Sequence, residues 1–265
     1  MKLALLTSTH LRHRWFAREL ARQHELVLVV AEAKGNQKQM EGETAEDTAL
    51  LRDHFDRLRQ TEHAFFGDSG FPGDSELIEV ERGGVNEPGI AQAIRAHGVE
   101  GMAVFGPGIL KGDVLECCPG RIINAHQGLS PYRRGSGTNF WPFVEGRLEL
   151  VGATLHWIDA GIDTGGIICH VRPKIESGDT MHEIGCKTVA ASAQCMGKLF
   201  SLLDRGISLP GISQWEQGKL YQRKDFDAQA VQTARRNMAE GLVAAYLENR
   251  KSSGSAAGIR IIVLE

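Results

Sequence analysis

Five cysteines in 265 residues (Cys117, Cys118, Cys169, Cys186 and Cys195) are odd in number and contain no C-x-x-C spacing, which excludes a disulfide scaffold and a zinc-ribbon pattern. A reducing, cytoplasmic setting is the expectation. No apolar run reaches the ~20 residues that a membrane-spanning helix requires. Residues 1–7 lack the basic start and long apolar centre of a secretory leader. Positive charge is not in excess either: 30 Lys and Arg against 33 Asp and Glu leave a net charge of -3. That argues against extended nucleic-acid binding, because neutralising a phosphate backbone takes clustered cations. Repeats and low-complexity tracts are also missing. What remains, with 42% hydrophobic residues, 24% charged residues and 31 glycines, is the composition of an ordinary α/β protein with a full core and room for a small appendage.

Hydrophobic periodicity organises the chain. Residues 2–7 and 25–31 read as buried strands and 11–24 as a helix, together a βαβ unit. Residues 34–48 are polar, and 49–66 form a charged amphipathic pattern read as an insertion or mobile arm with one docked face. Strands are expected at 77–80, 101–105, 121–125, 150–158 and 167–173, with helices at 88–97, 111–117, 136–144, 180–203 and 228–249, and a last strand at 259–264. The expected fold is a Rossmann-like open α/β sheet with flanking helices. In such sheets ligands gather beyond the carboxyl ends of the strands, which is where residues 121–125 deliver Asn124 and His126.

Asn124-Ala125-His126, the loop from Gln127 to Gly135, and Asp163 within Gly161-Ile162-Asp163-Thr164-Gly165-Gly166 carry the chemistry. An amide, an imidazole and a carboxylate can stabilise an oxyanion, donate a proton and orient the donor, which makes an acyl-transfer site with no covalent nucleophile and no metal. Taken singly, each has a plainer reading: a turn-forming Asn, a satisfied half-buried His, an Asp bonded to its own loop.

Residues 121–178, with Asn-x-His, Leu-Ser-Pro-Tyr-Arg-Arg-Gly, Gly-Ala-Thr-Leu-His and Gly-Ile-Asp-Thr-Gly-Gly-Ile-Ile, resemble the folate-dependent formyltransferases. That family includes the methionyl-tRNA, glycinamide ribonucleotide and sugar N-formyltransferases. The resemblance implies transfer of a formyl group from 10-formyltetrahydrofolate to a primary amine, with Asn124, His126 and Asp163 matching the family's catalytic trio. It implies a formyltransferase-type core at 1–205 with a helical insertion at about 35–70, and a small C-terminal extension at 206–265. The pterin would lie against the backbone of Phe105, Gly106, Gly108, Ile109 and Leu110, and of Ile158, Gly161, Ile162 and Thr164. One departure stands out. Gln127-Gly128 replaces the Pro-Ser or Asn-Ser that follows the His in many members, which suggests a freer loop and an altered amine contact.

The short, non-basic tail disfavours tRNA, and the opening Thr7-Ser8-Thr9-His10 is unlike the Gly-rich phosphate loop of the glycinamide ribonucleotide enzymes. The expected acceptor is therefore a nucleotide-linked amino sugar or a similar small amine, with Arg12, Arg14, Gln127 and Arg133 as its contacts. The tRNA and ribonucleotide acceptors, hydrolysis of 10-formyltetrahydrofolate, and a folate-binding module without turnover stand as alternatives. The tail from Tyr221 onward suggests a homodimer, since a short appendage needs a surface to cover its apolar face.

Overall fold

Strands whose side chains are apolar at every position are buried on both faces, and parallel strands covered by helices meet that condition. The computed structural model describes residues 1–34, 41–159, 164–253 and 259–263. In it, β1 (Lys2–Ser8), α1 (Leu11–Ala21), β2 (Glu25–Glu32), α2 (Ala45–Phe66), β3 (Glu76–Val80), α3 (Pro88–Ala96), β4 (Gly101–Val104) and β5 (Ile122–His126) follow one another. Next come β6 (Arg133–Gly135), α4 (Trp141–Val144), β7 (Ala153–Trp157), β8 (Ile167–Val171), α5 (Met181–Asp204), β9 (Lys219–Tyr221), α6 (Ala228–Ala239) and α7 (Leu242–Ser253). The main sheet has seven strands in the order β3-β2-β1-β4-β5-β7-β8. The first five are parallel, and β7 and β8 run antiparallel to their neighbours. This is the open, mixed α/β sheet that the periodicity predicts.

Alternation along the strands divides the core into two layers. Leu3, Leu5, Val29, Ala103 and Ile123 face α1 and α5, where they meet Phe16, Leu20, Met196 and Phe200. Ala4, Leu6, Leu28, Val30, Met102 and Val104 face the other way, onto Ile90 and Ile94 of α3. Helix α2 is the crossover from β2 to β3. It starts on a capping box, with Thr44 Oγ1 accepting the Asp47 amide at 3.0 Å and Asp47 accepting the Thr44 amide at 3.2 Å. Leu51, His54, Glu62 and Phe66 form its buried face. Helix α5 starts the same way on Thr180 and Glu183.

Several sequence expectations change. Residues 111–117 hold only a single 3-10 turn, Gly112–Val114, and the helix expected from residue 136 begins at Trp141. The helix over 228–249 is broken between Ala239 and Leu242 by Gly241 at φ +92°, a left-handed conformation that ends a helix. Residues 259–263 form no strand, although the main chain of Ile262 bonds to His170 through His170 N–H at 2.8 Å and His170 Nδ1 at 2.9 Å. The tail finds its partners within the chain. β9 pairs with β6, Tyr221 stacks on Trp141 at 4.3 Å, and Arg235 of α6 reaches Asp53 of α2 at 2.7 Å. These contacts bury part of the tail's surface against the rest of the chain. Among the described residues no helix is long and apolar enough to cross a membrane.

Phe200 is fully buried where α5 lies on the sheet. Replacing it with Ala is expected to lower unfolding free energy by about 3–5 kcal/mol, measurable as a reduced urea midpoint with an unchanged m-value.

Candidate active site

Strand order reverses between β1 and β4: from β1 the chain moves outward through β2 and β3, then returns to the opposite side of β1. The loops diverge there and leave a crevice at the carboxyl ends of the strands. A cavity of about 710 Å³ occupies it, within the roughly 300–1,000 Å³ typical of small-molecule sites. Phe105, Gly106, Gly108, Ile109 and Leu110 after β4, Asn124, His126 and Gln127 at the end of β5, Ile158 after β7, and Arg12 at the start of α1 all line it.

The loop after β4 is held by side chains from three other elements. Thr7 Oγ1 donates to the Phe105 carbonyl at 2.8 Å, and His13 Nδ1 lies 3.1 Å from the same oxygen. Two residues beyond Gly106, the buried Glu32 at the end of β2 accepts the Gly108 amide at 3.2 Å. Gly106 sits at φ +80°, and a Cβ there would stand 2.5 Å from the His13 ring. Only glycine meets both conditions. Burial first, then the neighbouring Arg12, Lys34 and His10, push the His13 pKa well below its ordinary value, so the ring is neutral.

Asn124 is oriented by His156. The Nδ1 of His156 faces the Trp157 carbonyl at 2.8 Å and must carry the proton, so Nε2 accepts from Asn124 Nδ2 at 3.0 Å. His126 is 7% exposed, with Nε2 3.3 Å from the Arg133 carbonyl. Gln127 donates to Ser192 Oγ at 3.2 Å, and its carbonyl accepts from Thr138. The Gln127-Gly128 departure proves to be a packing requirement, not a freedom. A Cβ on Gly128 would lie 2.6 Å from Thr138 Cβ and 2.9 Å from His126 Nε2.

Three predicted contact residues are not among those that line the cavity. Arg14 is on the exposed face of α1, its Nε bonded to the Thr9 carbonyl at 2.9 Å and its guanidinium over Phe71. The Arg133 side chain is buried against Glu145, so that residue meets the site through its main-chain oxygen. Thr164 is exposed and donates to Asp159 at 2.7 Å. Gly161, Ile162 and Asp163 lie outside the described residues.

The sequence reading missed several cavity residues. Lys34 and Arg223 join Arg12 on the wall, with Glu62 of α2 paired to Arg12. Burial, with Arg12 and Arg223 adding to it against the opposing Glu32, lowers the Lys34 pKa to about 8. The only sequence signals were a charge ending the apolar run of β2, at Glu32, and the basic stretch near Arg223. His54 and His182 also line the cavity, at its α2 and α5 wall.

The fold is thus an open α/β sheet with a crevice at its reversal point, and an amide and an imidazole reach that crevice from the end of the next strand but one, β5. The sequence profile of the family described as Formyl transferase matches residues 4–198, and the chain belongs to that family. A methionyl-tRNA formyltransferase of Solibacter usitatus is 31% identical over 136 residues, 51% of this chain and 43% of the relative. The chain spans less than half the length of the curated methionyl-tRNA formyltransferases it matches. Glycinamide ribonucleotide transformylase 1 of Symbiobacterium toebii has a similar fold, with TM-score 0.54, 17% identity, and 80% of this chain and 94% of that one covered. So does an Anoxybacillus kamchatkensis formyltransferase in complex with UDP-4,6-dideoxy-4-formamido-L-AltNAc and tetrahydrofolate, with TM-score 0.50, 18% identity, and 87% and 97% covered.

Removing the Glu32 carboxylate leaves the Gly108 amide without its acceptor. Glu32→Ala is expected to speed hydrogen exchange at that amide by about tenfold, whereas Glu32→Gln keeps an acceptor oxygen and most of the protection.

Proposed function

We propose that this chain moves a formyl group from 10-formyltetrahydrofolate to the primary amine of a nucleotide-linked sugar or a similar small metabolite. One observation carries the reading: Asn124, His126 and the cations Arg12, Lys34 and Arg223 line the same cavity. An acyl-transfer centre and an anion-binding wall thus share one space. The glycine loop at 105–110 exposes main chain to the donor, and the volume suits a pterin beside a second ligand.

In the proposed reaction the neutral amine attacks the formyl carbon, forming the new C–N bond while the carbonyl oxygen takes up negative charge. The Asn124 amide, held in orientation by His156, and a protonated His126 would donate to that oxygen. Collapse restores the carbonyl and breaks the bond to the folate nitrogen, which leaves with the electron pair and receives a proton originating on the amine. Asp163 has the role of favouring the protonated form of His126 and assisting that proton transfer through water. Holding both substrates in one cavity removes much of the entropic barrier. Arg12, Lys34 and Arg223 supply what phosphates on the acceptor would need, and the nucleotide-sugar complex of the Anoxybacillus protein is in keeping with such an acceptor.

Steady-state assays with 10-formyltetrahydrofolate and a panel of amines test the proposal. Nucleotide-linked amino sugars should be formylated, and Asn124→Ala and His126→Ala should each lower kcat by about 10²–10³-fold. Activity confined to charged tRNA, or formate release at the full rate with no amine present, would overturn it.

Lys34 adds a pH signature. With a pKa of about 8 it is charged below that pH and neutral above it. A phosphate-bearing acceptor favours the charged form, so the acceptor KM should rise as pH passes upward through about 8 while the donor KM stays level. Lys34→Met should raise the acceptor KM at pH 7 and flatten that rise.

A further inference from the structure

Helix α2 presents His54, Leu58, Glu62 and Phe66 to the cavity at four-residue spacing. Twelve residues at 1.5 Å each make this stripe about 18 Å long. Facing it, α5 contributes Met181, His182, Gly185, Cys186 and Val189. The cavity is therefore also a trench between two helices, and the composition of its wall changes along its length. Near Glu62 it is charged, through Arg12. At His54 it becomes a corner of rings.

That corner has an unusual make-up. The His54 and His182 rings meet edge to face at 4.7 Å, and Phe140 packs on His54 at 5.6 Å. All three line the cavity. His54 is 5% exposed, and its Nδ1 is buried with no hydrogen-bond partner. That atom has almost no accessible surface, so what the corner offers a ligand is ring surface, chiefly from the partly exposed Phe140 and His182. Burial, with the other imidazole and Arg235 adding to it, lowers the His54 pKa to about 3, and burial with nearby arginines lowers that of His182 to about 4. Both rings are neutral near pH 7. Such rings attract an uncharged planar group through stacking and edge hydrogen bonds, not an anion.

The corner adjoins the cations. Arg223 lies close enough to Lys34 to depress its pKa, and Phe226, three residues later in the same short turn, packs on His54 at 5.5 Å. An anion-binding wall and a neutral ring-lined corner thus stand side by side.

We propose that His54, His182 and Phe140 form a subsite for the nucleobase of the acceptor, with its diphosphate on Arg12, Lys34 and Arg223. This rests on the acceptor class proposed above and adds which residues read the base. The Phe140 and His182 rings pack on the heterocycle's face, and His54, packed on both rings, backs them.

Calorimetric titration of the full chain with UDP, GDP and dTDP, and separately with inorganic pyrophosphate, tests it. At least one nucleoside diphosphate should bind about tenfold or more tightly than pyrophosphate. The half-buried His182 is the first residue to change, and His182→Ala should bring that ratio to within about twofold while leaving pyrophosphate affinity as it was. His54→Gln serves as the second variant, with thermal melts confirming that each is folded. Equal binding of pyrophosphate and all three nucleotides, or a ratio that survives in both folded variants, would overturn the subsite but leave the phosphate wall standing. Failure of every phosphate compound to bind, with formyl transfer to some other amine intact, would sink the acceptor class itself and the subsite with it.

Discussion

Three buried polar side chains from β1, α1 and β2 hold the loop that follows β4, and the shape of the cavity depends on them. Thr7 and His13 meet the Phe105 carbonyl and Glu32 takes the Gly108 amide, so the loop is fastened at both ends. Backbone polar groups at the end of a buried strand must find partners somewhere. Here they find them in side chains beneath the loop. Gly106 can then approach His13 more closely than any side chain would allow, and the carboxyl end of β4 remains open between the two halves of the sheet.

Asn124 and His126 are placed by a similar arrangement on the neighbouring strand. The antiparallel pairing of β5 with β7 sets Asn124 opposite His156, so the residue that orients the amide is delivered by strand register. His126 Nε2 is bonded to the Arg133 carbonyl and stands so near Gly128 that a Cβ there would lie 2.9 Å from it. Both side chains are fixed by groups outside the proposed trio, which suits the charge-stabilising role proposed for them.

Much of the scaffold was legible because strands and helices write short-period patterns. The alternation of β1 and β2, the Thr-x-x-Glu start of α5 and the apolar run of β4 each report a local geometry. The errors fall where local pattern is a poor guide. Residues 259–263 have the composition of a strand, yet they make a few bonds to His170 without joining the sheet. Gly241 interrupts a helical pattern that otherwise continues on both sides. At the site, the order Asn124, His126 and the loop after β4 could be read directly. Glu32, Lys34, His54, Glu62, His182 and Arg223 could not, because each is an ordinary residue of a strand end, helix or turn until the fold brings it to the cavity wall or its supporting loop.

The two arginines of α1 show the division most simply. A chain reading alone established that this is an α/β sheet with an amide and an imidazole at the end of one strand, because those features lie within a few residues of one another. It had no means of choosing between Arg12 and Arg14. Two positions along a helix turn a side chain by about 200°, so one of them had to face away, and only the packing of α1 against α2 and the sheet decided which. Arg12 turns to Glu62 and the cavity, and Arg14 turns to the exposed face and Phe71. Tertiary structure made that choice because burial and charge pairing act between residues 50 positions apart, a distance over which sequence pattern carries no geometry.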